Sequence, residues 1–146
     1  MKIFGHPVHI MLIHFPSALF PMDLACAAIG HYTGNPSFTG AAFYAMSGGV
    51  VMGWLALVFG VFDLLQVFES RPEIVKKILL HGGINMTVII VYTVFAYAGY
   101  KHYPALRPDG ISSLIIKALT IVFMIIGNFM GGSLILKHQI AVEPYK

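Results

Sequence analysis

Charge is what this sequence has least of. Only 10% of its 146 residues are Asp, Glu, Lys or Arg, against about 25% in an ordinary soluble domain. So little charge leaves too little polar surface to face water on all sides, and the membrane class becomes the starting point. Cysteine is nearly absent as well. Cys26 stands alone, so neither an intrachain disulfide nor a cysteine-built zinc site is available, and its apolar surroundings in the sequence make it an inert core thiol. Internal repeats and low-complexity tails are missing. The net charge of +3 is not gathered into a nucleic-acid-binding patch; the basic residues sit at the ends of apolar runs and read as topology signals. No serine stands with a matched base and HExxH is absent, so a stand-alone hydrolase is not indicated. A secondary transporter usually has more spans and internal repeats.

What is present is apolar length. Hydrophobic residues make up 58% of the chain and the mean hydropathy is +0.80. A bilayer core of about 30 Å needs about 20 apolar residues of helix, and residues 8–29, 38–68, 78–100 and 113–136 each meet that requirement. The runs are continuous and do not alternate as barrel strands do. The connectors are short: Gly30 to Ser37 is dense in turn formers, Glu69 to Glu73 is polar with Pro72 placed to start a helix, and Pro104 to Gly110 holds two prolines. Short connectors force neighbouring helices to be antiparallel. The expected fold is therefore all-α, a single-domain integral membrane four-helix bundle of up-down-up-down order. Pro16 and Pro21 should kink its first helix, and that segment reads as a permanent span, because His6, Pro7, His9, His14 and Pro16 interrupt the clean apolar core that a signal peptide needs.

In this order both termini lie at one membrane face, side A. Lys2, Arg71, Lys76, Lys77, Lys137 and Lys146 lie near it, against Lys101, Arg107 and Lys117 toward side B. The asymmetry predicts a cytoplasmic side A.

Ionisable groups inside a span are costly and need a partner or a purpose. Folding the four spans together gathers many of them at side A. His6, His9 and His14 open the first span, Asp63 and Gln66 close the second, His81 and Asn85 start the third one turn apart, and His138 ends the fourth. His9 and His14 are five residues apart and do not share a helical face, so His6 and His9 are placed at the surface and His14 deeper, level with His81 and Asn85. On the second span Gly49, Gly53, Ala56, Gly60 and Asp63 form a small-residue stripe, and Gly127, Gly131 and His138 share a face of the fourth. Such stripes let helices approach closely or leave room for a flat cofactor. Toward side B, Asp23 and Lys117 fall at similar depth and form an expected intramembrane ion pair.

The opening Gly5-His6-Pro7-Val8-His9-Ile10-Met11-Leu12-Ile13-His14-Phe15-Pro16 is distinctive. It resembles the start of the DUF2231 family, bacterial four-span membrane proteins of unknown function. Gly60 to Asp63, His81 to Asn85 and Gly131 to His138 resemble later elements of that family in the same order, over nearly the whole chain. Ile10 departs from it, standing where a second His-Pro pair is frequent. The resemblance implies the four-span fold and names no activity.

Three functions follow from the residues. The first, slightly ahead, is a haem b-binding electron-transfer subunit, with His14 and His81 as axial ligands, Asn85 beside them, and Arg71 and Lys77 facing the propionates. The second is a transition-metal site for iron, copper, zinc or nickel, drawn from His6, His9, His14, Asp63, His81 and His138. The third is a cofactor-free polar network in a structural or docking subunit. The expected partners are the lipid bilayer, other membrane redox subunits, or further copies of the chain.

Overall fold

A computed structural model describes residues 2–3, 6–68 and 71–138, with side chains described over 8–68 and 71–137. It is all-α apart from a two-residue antiparallel pairing of β1 (Lys2–Ile3) with β2 (His6–Pro7). Five helices follow: α1 (Val8–Leu12), α2 (His14–Thr33), α3 (Pro36–Phe68), α4 (Pro72–Tyr100) and α5 (Ile111–His138). Together α1 and α2 make the first of four segments long and apolar enough to cross a membrane; α3, α4 and α5 supply the others.

The breaks follow local chemistry. Pro16 has no N–H to offer the carbonyl of Leu12, and the helix is interrupted at Ile13. There the Ser17 hydroxyl donates to the Ile13 carbonyl at 2.7 Å. Pro21 sits inside α2 without ending it. The turn formers begin at Gly30, yet α2 runs on to Thr33 and stops only at Gly34, whose φ of 66° closes the helix with its N–H on the Gly30 carbonyl. That left-handed cap needs glycine. Asn35 then accepts the Ser37 N–H through Oδ1 at 3.0 Å, and Pro36 takes the first position of α3. Pro72 likewise opens α4, where a missing N–H costs nothing.

The helices close into a ring, α2 against α3, α3 against α4, α4 against α5, and α5 back against α2. Large apolar side chains such as Leu55, Phe62, Val94, Phe123, Phe129 and Leu136 point outward, as a lipid-facing surface requires. The centre is a plug formed by Phe20 and Tyr92, both wholly buried, whose rings stack 3.8 Å apart and 3° from parallel. Met46, Val50, Val88, Ile121 and Met124 surround it.

Candidate functional site

Between this plug and side A lies a cavity of about 530 Å³, within the 300–1,000 Å³ range of ligand sites. All four spans line it. Most of the wall is apolar, with Ile13, Leu57, Ile89 and Leu134 among its residues; His9, Ser17, Asp63, His81, Asn85 and Asn128 bring the polar groups.

Two imidazoles dominate it. His9 on α1 places Nδ1 2.7 Å from the Ala56 carbonyl of α3. His81 on α4 places Nδ1 2.9 Å from the Gly127 carbonyl of α5. A carbonyl only accepts, so in each neutral ring Nδ1 carries the proton and Nε2 keeps its lone pair. Each ring is thus anchored to a helix other than its own. The two ring centres are 6.5 Å apart with planes at 88°. Asn85 donates from Nδ2 to the His81 carbonyl one turn back, at 3.0 Å. On the opposite wall Asn128 donates to the Ser17 hydroxyl at 3.0 Å.

The small residues are explained by these rings. A Cβ on Gly60 would stand 3.0 Å from Cε1 of His9, one on Gly131 would stand 2.7 Å from Cε1 of His81, and one on Gly127 would stand 3.0 Å from the Asn85 amide. The α3 stripe is covered along its length, with Phe20 over Gly49, Ile89 over Gly53 and His9 over Gly60. The stripes admit side chains of neighbouring helices, and the open volume lies beside them.

The residues expected at side A divide into three groups. His9, Asp63, His81 and Asn85 line the cavity together. His14 does not; it is exposed on the outer face. Five residues of helix rotate a side chain by roughly 140° relative to His9, so with His9 turned inward His14 faces out, and His9 is the residue that meets His81. Arg71 and Lys77 lie near the start of α4, outside the cavity wall, Arg71 3.5 Å from Glu73. The side chains of His6 and His138 lie outside the described residues. Among the described residues no three His, Cys, Asp or Glu side chains come together as metal ligands.

At the other end Lys117, 1% exposed, lies 2.8 Å from Oδ1 of Asp23, which is fully buried. It also lies 2.7 Å from Oδ2 of Asp109. Asp109 was not anticipated in this role, since it belongs to the α4–α5 connector; His31 holds that connector by donating from Nδ1 to the Asp109 carbonyl at 2.7 Å. Ser17 and Asn128 were likewise missed, although Asn128 is a polar residue inside a span and the rule that singled out Asn85 applies to it equally.

Comparison with known proteins adds one match. A family model described as "Predicted membrane protein (DUF2231)" covers residues 5–144. No curated protein and no solved structure matches the chain.

Proposed function

We propose that this chain, which belongs to the DUF2231 family of predicted membrane proteins, binds haem b between His9 and His81 and serves electron transfer in the membrane. One observation carries the reading: two imidazoles on different spans, each anchored through Nδ1 to a backbone carbonyl, each keeping a lone pair on Nε2. Ligating histidines are held this way, because the Nδ1 hydrogen bond fixes the tautomer and the ring orientation. The two ring centres lie 6.5 Å apart across one cavity, so His9 and His81 would be the residues that hold the group, one from each of two spans.

Haem, if bound there, would supply a one-electron couple, with His9 and His81 the residues that would hold it. The chain's own part is to present neutral imidazoles, to exclude water with the apolar wall, and to fix His81 through Gly127 and Asn85. Arg71 and Lys77 bring positive charge to the same membrane face, the sign that propionate carboxylates require. Lysine and arginine asymmetry supports a cytoplasmic placement of that face. The electron partner is then another redox subunit or a second copy of the chain.

Protein purified gently from cells supplied with iron and haem precursors should yield close to one extractable haem b per chain. A near-stoichiometric ion without porphyrin would replace haem by a metal held on the same nitrogens. Finding neither would leave the histidines as a structural network.

A further inference from the structure

A second cavity, of about 250 Å³, lies on the other side of the Phe20–Tyr92 plug and is lined by Asp23, Thr39, His102, Arg107, Asp109 and Lys117 among others. We propose that it is a buried proton-binding site, with one exchangeable proton held on Asp23 and supplied from side B. This inference stands apart from the haem reading.

The argument starts from charge. Lys117 bridges two carboxylates, Asp23 and Asp109. One ammonium and two carboxylates leave a net charge of −1, shared between the wholly buried Asp23 and the partly exposed Asp109 of the connector, and an uncompensated charge on the buried member is expensive. Arg107 reaches the mouth of the cavity but is exposed and forms no ion pair with either acid. Every group facing Asp23 can be named. Lys117 comes from α5, Asp109 from the connector, Tyr92 from α4 and Thr39 from α3; His102 and Arg107 lie toward the mouth.

The geometry then says where the proton sits. Oδ1 of Asp23 accepts from Lys117, whereas Oδ2 of the same wholly buried carboxyl has no hydrogen-bond partner. The Tyr92 hydroxyl, also wholly buried and within electrostatic reach of Asp23, lacks one too. An ionised Oδ2 left bare in such a place is costly. A proton on Oδ2 brings the cluster to zero net charge and turns the bare acceptor into a donor. The cavity has room for several waters at ~30 Å³ each between the Asp23–Asp109 cluster and side B; Oδ2 itself is shut off from them, so the carboxyl turns to release its proton. Toward side A the stacked rings of Phe20 and Tyr92 close the path. Release is a simple transfer: the O–H bond at Oδ2 breaks, its electron pair stays on the carboxylate, and the proton passes to cavity water and out at side B.

Infrared spectroscopy of the full chain in lipid vesicles reads this directly. A protonated carboxyl gives a carbonyl stretch that a carboxylate lacks. At pH 5 the native protein should show this band, shifted downward on transfer to D2O. Asp23→Asn should abolish it, and Asp23→Glu should keep it at an altered frequency. Asp109→Asn leaves one acid facing one ammonium, and the band should fade at the same pH. The proposal is overturned if the native protein shows no such band, if the band ignores D2O, or if it survives unchanged in Asp23→Asn or Asp109→Asn.

Discussion

Replacing Gly131 by alanine should damage the His81 anchor, while the same change one residue later should help the protein. At Gly131 the new methyl would stand 2.7 Å from Cε1 of His81, about 1 Å inside an ordinary carbon contact of ~3.5–4.0 Å. If the imidazole retreats by that much, its 2.9 Å bond to the Gly127 carbonyl stretches beyond hydrogen-bond range. A buried polar group left unpaired costs about 1–3 kcal/mol; if α4 and α5 part instead, overpacking costs a similar ~1–3 kcal/mol. Against this stands the gain in helix propensity from glycine to alanine, ~1 kcal/mol. At Gly132 a methyl meets nothing within 4 Å, so only the gain remains. The propensity gain is common to both variants, so they should differ by about 1–3 kcal/mol, with Gly131→Ala the less stable. Reversible unfolding in mixed detergent micelles, followed by circular dichroism, measures the difference. Equal stability of Gly131→Ala and Gly132→Ala would refute the close packing of His81 on α5.

Three further outcomes follow. Lys117→Met should destabilise the bundle by about 1–3 kcal/mol, since it leaves Oδ1 of buried Asp23 without its hydrogen-bond partner, and Asp23→Asn added to it should recover part of that loss; a double variant no better than the sum of the singles would deny the coupling. A cysteine at Asn35 should be labelled from outside the cell and one at Glu73 should not, with native Cys26 buried and silent; the reverse pattern would invert the orientation. Asn85→Ala should lower thermal stability by about 1–2 kcal/mol through loss of its bond to the His81 carbonyl, and an unchanged unfolding midpoint would show that bond to be dispensable.

The fold was legible because it rests on apolar run length and on proline and glycine punctuation. Pro72 and Gly34 set helix limits for reasons visible in the residue types alone. The limit harder to read was the end of α2, which runs past residue 29 to Thr33, because a helix ends where its backbone groups find another partner, not where hydropathy falls. The side A cluster was legible as a depth coincidence, since residue counts along four spans give depth. Rotation was harder. The sequence says that His9 and His14 face different ways, but not which of them faces inward. That depends on the break at Ile13 and on Gly60, which together let the His9 ring lie against α3. Asp109 was invisible for a related reason: depth counting does not apply to a connector, and its approach to Lys117 depends on how His31 holds the loop.

The haem reading is tested most directly by the absorption spectrum of the purified protein and of two histidine variants. The account predicts a strong Soret band that shifts on reduction, is lost or altered in His9→Ala, and persists in His14→Ala, because His9 and not His14 faces His81 across the cavity. A colourless native protein, or a Soret band abolished by His14→Ala and untouched by His9→Ala, would contradict it.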